Sequence, residues 1–517
     1  MRYNTLGNMK NSRPTKHLTK PLFLIILLAL ILRLPLLNGS FWLDEAAQFL
    51  ESARPLSQQL NIIPDFQPPL LHLILHFALY LSSTEWSLRL IGSVIPGLIA
   101  LIATYQLAKK LFGNATANIS TFLLATSSFH IFFSQELRPY SLAAMWASLS
   151  FLQLFNKITT HQKEKSLKSW LLLIIINSLG LYSSYLYPFV IVTQLITIAI
   201  LNKMKLKKSL LSFIISCLSF FPFSPIFFQQ LQTGQTLRAI LPGWEYVVSH
   251  PQLQAIPLTF GKFIFGIINL EINITFISIT AAIFISCLIL SLFIYKSSIK
   301  QTSQDQKRWF FLIISIFFSV FVPWIISFWI PIIQPKRVLY VQPLVYIFIS
   351  ALITQTWTLK KASLKIIGVI LFIILFSLNI FSSYQYYTQK SLQRENWREL
   401  VNFTKARFPN DKSIFVFGFD EPFAPWRLYA QDHFKTLSIA KMTPNDQDEV
   451  QDLLKPIYDY EFVLLFDYLR DLTDPNDQII HAIESYGYEE IEMIDFENIG
   501  FLRVYIKDKE LLMSYLE

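Results

Sequence analysis

Phe41-Trp42-Leu43-Asp44-Glu45 follows directly on Pro21–Leu37, the first apolar run of membrane length in the chain. How its two adjacent carboxylates are read decides the rest. A charged side chain at the centre of a bilayer costs roughly 2.5–3.5 kcal/mol on insertion scales. A pair of them fixed at a membrane face therefore points to use rather than tolerance. Their use depends on which face they occupy, and the remainder of the sequence bears on that.

The chain has 517 residues, 53% hydrophobic and 15% charged. A soluble domain carries about 25% charged residues. Apolar runs recur through the first 383 positions, so the chain reads as a polytopic membrane protein. Residues 1–383 hold 30 Lys+Arg and 10 Asp+Glu, whereas residues 384–517 hold 14 and 25. This reversal of charge puts a domain boundary near 384. The basic excess belongs to the membrane part and does not imply a nucleic-acid partner. Cys217 and Cys287 both lie in apolar runs and read as small buried hydrophobes. The N-terminus, with Arg2, Lys10, Arg13, Lys16 and Lys20, resembles a signal peptide without an A-x-A-like cleavage site. It reads as a retained signal-anchor.

Eleven spans are expected, at 21–38, 88–108, 115–133, 139–156, 169–187, 188–202, 209–228, 274–295, 309–330, 338–357 and 364–383. With the N-terminus in the cytoplasm, every inward segment is basic: Lys109-Lys110; Lys157, Lys163, Lys165, Lys168; Lys203, Lys205, Lys207, Lys208; Lys296, Lys300, Lys307, Arg308; and Lys360, Lys361, Lys365. Asp44, Glu45, Glu51, Asp65, Glu85, Glu136, Glu245 and Glu271 then fall outside. Pro68–Ser83 is apolar but short and contains His72 and His76; counted as a span it would invert every later sign. Ala46–Leu60 and Pro68–Leu81 are therefore expected as helices along the outer surface, joined by a turn at 62–67. The fold class is an α-helical polytopic membrane domain, 1–383, whose first outward loop at 39–87 carries juxtamembrane helices, followed by a small extracytoplasmic α/β domain, 384–517. In that tail the pattern predicts helices at Arg394–Arg407 and Pro475–Tyr486, strands at Ser413–Phe419 and Glu461–Phe466, and a hairpin within Ile491–Ile506. Neither a P-loop nor a G-x-G-x-x-G fingerprint occurs in it.

Three outward polar clusters stand together at similar depth: Asp44-Glu45; Ser134-Gln135-Glu136-Leu137-Arg138-Pro139-Tyr140; and Gln334-Pro335-Lys336-Arg337-Val338-Leu339-Tyr340. One offers carboxylates and two offer cations. That suits a reaction in which a carboxylate takes a proton while fixed cations stabilise a leaving phosphate. Each has a plainer use: Asp44-Glu45 as first-turn acids of a helix, Arg138 as the ion-pair partner of an outward acid, and Lys336-Arg337 as headgroup anchors. His72 and His76, four residues apart, have the spacing of a metal pair, although an interfacial helix face explains them as well.

Trp42-Leu43-Asp44-Glu45, then Phe66-Gln67-Pro68-Pro69-Leu70, Glu85-Trp86-Ser87-Leu88-Arg89-Leu90 and Gln135-Glu136-Leu137-Arg138-Pro139-Tyr140 resemble, in that order, the family 39 glycosyltransferases of the GT-C superfamily. This is the superfamily of protein O-mannosyltransferases and bacterial aminoarabinose transferases. Arg337…Tyr340 and Asn396-Trp397-Arg398-Glu399 resemble bacterial members.

The resemblance implies an inverting enzyme of the plasma (inner) membrane. Its donor would be a polyprenyl-phosphate sugar and its acceptor a glycan, lipid or protein. It makes Asp44 the base and has Glu45 position the acceptor or tune Asp44. Arg138 with Lys336 or Arg337 would hold the lipid phosphate, and Tyr140, Tyr340 and Gln67 join them as substrate contacts. Gln67 departs from the family pattern, standing where many relatives carry His or Lys, so the resemblance does not fix the contact from position 67 or the substrate. The long luminal insert of eukaryotic protein mannosyltransferases is not found, so protein O-mannosylation is not implied. No cofactor is required, and a divalent ion on Asp44-Glu45 is left open. The competing classes are a flippase for lipid-linked glycans, which would set charges near the bilayer midplane in paired repeats, and a membrane scaffold.

Overall fold

The structure is a computed structural model that describes residues 20–62, 66–159, 167–240, 252–269, 273–298, 303–439 and 447–507. Arg2, Lys10, Arg13, Lys16, Asp65, Lys163, Lys165, Glu245, Glu271 and Lys300, which entered the charge argument, lie outside those residues.

Each expected span coincides with helix. The first, α1 (Lys20–Arg33), is all Leu, Ile, Ala and Phe between its terminal basic residues, apart from Pro21 in its first turn. Among the described residues, six helices are long and apolar enough to cross a membrane: Glu85–Phe112, Lys203–Thr236, Ile274–Lys296, Gln304–Ile326, Pro335–Thr358 and Ala362–Thr388. Most of the apolar stretch of Pro335–Thr358 is buried, 89% of its residues, whereas only 17% of that of Ile274–Lys296 is, and this helix presents Phe284, Ile285, Leu288 and Leu292 outward. Large apolar side chains stay exposed on such a helix when lipid is the solvent. The protein is thus a membrane-embedded, multi-pass protein. The span expected at 115–133 is broken: helix Asn114–Thr126 ends where Ser127 turns extended, and Ser128–Ser134 resumes.

Two segments differ from expectation. The helix begun before 228 runs on to Ile240, and Gln252–Phe265 is a helix that the apolar count passed over. Both are tied into the bundle by tertiary bonds. Gln230 donates to the Ile62 carbonyl and accepts from Tyr185. The Phe263 carbonyl accepts from Gln342 at 3.2 Å and from Tyr346 at 3.0 Å. Cys217 is also a correction: it is exposed on helix Leu206–Ser219, although both cysteines are free.

The first loop folds as two short helices, α2 (Leu43–Ala53) and α3 (Leu70–Leu79). Asp44 and Glu45 occupy the first turn of α2, where carboxylates suit the helix dipole, and Arg54-Pro55 stops it. His72 and His76 are buried against α2 rather than turned to an interface. His72 Nδ1 accepts from Gln48 at 2.8 Å and His76 Nδ1 donates to the Ser52 carbonyl at 3.0 Å.

The tail forms one five-stranded sheet of order β2-β1-β3-β5-β4, from β1 (Ser413–Phe417), β2 (Lys435–Ser438), β3 (Phe462–Phe466), β4 (Glu489–Phe496) and β5 (Gly500–Ile506). β1 pairs parallel with β2 and β3; β5 runs antiparallel to β3 and β4. β1 and β3 are buried throughout, as unbroken apolar runs should be. The expected helices are Trp397–Arg407 and Gln478–Ser485. β2 was not foreseen: its Lys-Thr-Leu-Ser has neither alternation nor an apolar run.

Candidate active site

Helix Glu85–Phe112 passes beneath the first loop and carries the residue that organises it. Arg89 is 1% exposed, and its Nε donates to Glu45 Oε1 at 3.0 Å while a second nitrogen pairs with Glu45 Oε2. The remaining guanidinium bonds go to the carbonyls of Leu37 (2.8 Å), Gly39 (2.6 Å) and Ser40 (2.9 Å). Phe41 lies under the guanidinium, 5.0 Å from its ring centre. Glu45 Oε1 also accepts from the Leu137 N–H at 2.6 Å. One fully buried ion pair therefore ties α2 to the chain before it and to the 135–138 segment. Burial pushes the Glu45 carboxyl up, but the Arg89 charge and hydrogen bond, the Arg394 charge and the Leu137 N–H outweigh it. The group is held below the ordinary carboxylate range.

The approach of 135–138 depends on Gly92, in a stretch of π-helix at Leu90–Val94. A Cβ at Gly92 would lie 2.9 Å from Leu137 Cδ1 and 3.2 Å from Leu75 Cδ2.

Asp44 differs from its neighbour. Its side chain is 36% exposed, and among the described residues its one ion-pair contact is with Arg138, at 3.8 Å. Lys336 lies between the Trp42 and Tyr140 rings, 5.9 and 5.7 Å from their centres. Arg337 donates to the Ile332 carbonyl at 3.2 Å, and the charges of Asp44 and Arg138 act on it. Asp44, Arg138, Tyr140, Lys336 and Arg337 thus converge from three separate segments. Among the described residues, the buried Trp42 Nε1 and Glu136 Oε1 have no hydrogen-bond partner. Glu136 is 2% exposed, 3.6 Å from Arg394. Its carboxyl is raised by burial and by the Glu45 and Asp44 charges, against the pull of Arg394 and Lys336.

Three expected site residues lie elsewhere. Glu45 is fully enclosed and offers substrate no free oxygen. Tyr340 is 1% exposed, its hydroxyl donating inward to the Ser319 carbonyl at 3.3 Å; it follows Lys336 by four residues, but Val338 breaks the helical φ/ψ between them. Gln67 is 3% exposed, and its amide donates to Gln48 Oε1 on α2. Asp44 and Glu45 do not form a chelate, since Arg89 and Leu137 hold both Glu45 oxygens. Among the described residues no group of three or more His, Cys, Asp and Glu is arranged to hold a metal.

The tail also reaches this site. Arg394 donates to the Phe132 carbonyl at 2.8 Å and stacks on that ring. Arg398 pairs with Glu85 at 2.8 Å, and Tyr429 bonds both Glu85 and the Phe41 N–H. Sequence reasoning missed Arg89, Arg394 and Glu395 as site-builders, although Arg89 stood inside a quoted motif. A lone Arg near the start of an apolar helix is the signal that pointed to it.

With the bundle, its first outward loop and the tail domain placed, the fold is similar to that of solved membrane glycosyltransferases. The family profile described as dolichyl-phosphate-mannose-protein mannosyltransferase matches residues 66–228. ArnT from Cupriavidus metallidurans in the apo state superposes with TM-score 0.57 at 10% identity, covering 95% of this chain and 98% of that one. The same protein bound to undecaprenyl phosphate gives TM-score 0.54 at 10% identity, with coverage of 95% and 98%. The Archaeoglobus fulgidus oligosaccharyltransferase, in a complex with Zn and sulfate, gives TM-score 0.54 at 12% identity, covering 94% and 73%. A sequence search of curated proteins gives no match. The chain has the GT-C fold.

Proposed function

We propose that this protein is an inverting glycosyltransferase that moves a sugar from a polyprenyl-phosphate donor to an acceptor hydroxyl or phosphate on the outer face of the plasma (inner) membrane. The observation that carries the reading is the exposed Asp44 carboxylate facing Arg138, Lys336 and Arg337, while its neighbour Glu45 is locked away. Asp44 takes the proton of the acceptor hydroxyl, and the acceptor oxygen bonds to the anomeric carbon. The bond from that carbon to the phosphate oxygen breaks on the opposite side, through an oxocarbenium-like state. The electron pair leaves on the lipid phosphate, whose charge Arg138, Lys336 and Arg337 stabilise. The unpartnered Trp42 N–H is a further donor to the donor headgroup. Glu45 and Arg89 hold α2 in place, and Gln67 supports it through Gln48. Tyr340 acts in packing. The N-terminus lies in the cytoplasm, the 384–517 domain outside, and the boundary falls where helix Ala362–Thr388 leaves the membrane. No metal is assigned a step.

The test uses purified protein with a panel of polyprenyl-phosphate sugars and candidate glycan, lipid and peptide acceptors, with and without a chelator. Transfer by wild type but not by Asp44→Asn supports the reading. Transfer unaffected by Asp44→Asn removes Asp44 as the base. Cysteine labelling of the exposed position 83 in the same loop from the cytoplasmic side overturns the orientation.

A further inference from the structure

α2 begins without a cap of its own. Trp42 is its N-cap residue and supplies no side-chain hydrogen bond. The first helical N–H, that of Leu43, instead donates to Glu395 Oε2 at 3.2 Å, from 352 residues further along the chain. Glu395 is itself held. Trp397 Nε1 donates to Oε2 at 2.6 Å, and the Tyr468 hydroxyl, just past β3, donates to Oε1 at 2.8 Å. The Leu43 side chain packs on the tail's aromatic core around Trp397, Phe423 and Phe466. Around this contact Arg398 N–H donates to Ser40 Oγ at 3.1 Å and Arg398 NH2 to the Asn38 carbonyl at 2.9 Å. The tail therefore supplies both the polar cap and an apolar seat for the residue immediately before Asp44.

We propose that Glu395 is a positioning residue, capping from the C-terminal segment the helix that presents Asp44, so that docking of the tail sets the orientation of the base. This rests on the reading of Asp44 given above. The charged and titratable groups that face Glu395 are Asp44 on α2 and Tyr468 beyond β3; Arg394 and Arg398, its chain neighbours, engage Glu136 and Glu85. Burial, with a lesser push from Asp44, raises the Glu395 carboxyl to about 7 against the pull of Trp397, Tyr468 and Leu43. A carboxyl raised on docking favours the docked tail below its free value, and that contribution is lost as pH rises through about 7.

The test follows amide hydrogen exchange of residues 43–53 in the intact protein, corrected for intrinsic rate, in wild type, Glu395→Ala and Glu395→Gln. Transfer is measured alongside. Glu395→Ala is expected to lose protection at the start of α2 and to lower kcat roughly tenfold, the scale of one helix cap, with KM for the lipid donor little changed. Glu395→Gln keeps an acceptor oxygen, so it restores most of the protection and abolishes its decline between pH 6 and 8. Glu395→Ala with unchanged protection of 43–53, or Glu395→Gln with the wild-type pH dependence, overturns the proposal. Loss of protection in Glu395→Ala, with no transfer by wild type from any donor, upholds the cap and refutes the glycosyltransferase reading instead.

Discussion

Arg89→Met removes the guanidinium that joins Glu45, Leu37, Gly39 and Ser40, and leaves the Glu45 carboxylate buried with only the Leu137 N–H in direct contact. Breaking a buried ion pair from one side typically costs about 3–5 kcal/mol, because the surviving charge is stranded. Here the pair is 1% and 0% exposed, so solvent does not soften that cost. The double variant Glu45→Gln/Arg89→Met strands no charge and is expected to recover stability relative to Arg89→Met, with a coupling energy on the order of 1–3 kcal/mol. It is not expected to recover transfer, because the tie between α2 and the 37–41 turn is gone. A displacement of about 1 Å at a reacting group costs on the order of 10²-fold. The assay is thermal unfolding in detergent, with hydrogen exchange at 37–45, for both single variants and the double. Glu45 is held below its ordinary range, so its contribution is present above the unfolded carboxyl value of about 4.3 and is lost as pH falls through the folded value. The stability gap between wild type and Arg89→Met should accordingly close in acid. A coupling energy near zero, or a gap independent of pH, refutes the reasoning.

Asp44→Asn should lower kcat by about 10²–10⁴ with little change in thermal stability, since the side chain is 36% exposed and has one long contact to Arg138. Lys336→Met and Arg337→Met should each cost roughly 10²-fold in kcat, read in single-turnover assays, by removing charge from the departing phosphate. Tyr340→Phe should leave donor KM unchanged and cost only about 1 kcal/mol of stability, from the lost bond to the Ser319 carbonyl; a raised KM would return Tyr340 to the donor site. Gly180→Ala should be harsh, because a Cβ there would lie 2.1 Å from the ring of the buried Tyr187. Overpacking of that kind costs about 1–3 kcal/mol or more, visible as a lowered unfolding temperature.

Much of the architecture was legible because lipid imposes a simple rule: a spanning segment must be apolar and helical. That rule gave each of the eleven expected spans a helix and marked Pro68–Leu81 as too short to cross. It failed at Gln252–Phe265, whose helix is fixed by Gln342 and Tyr346 bonding the Phe263 carbonyl. It also stopped short at 228 within helix Ser224–Ile240, whose first half Gln230 ties to Ile62 and Tyr185. Hydropathy carries no information about bonds of that kind.

The site divides the same way. Residue type and order in the chain were enough to single out Asp44-Glu45, Arg138 and Lys336-Arg337, because ionisable groups beside a membrane are costly and few. Residue type alone could not separate Asp44 from Glu45, which only the family resemblance told apart, since adjacent acids look alike until a partner is assigned. Arg89 makes that assignment from 44 residues away: it encloses Glu45 and leaves Asp44 facing the cations. Nor could spacing foresee Tyr340 turning inward behind the break at Val338, or Glu395 capping α2 from the far end of the chain. The sequence by itself determined the membrane-spanning frame and the chemical inventory of the outer loops. The tertiary structure decided which carboxylate is accessible, because exposure and partnership are set by contacts from Arg89 and Leu137, 44 and 92 residues further along the chain than Glu45.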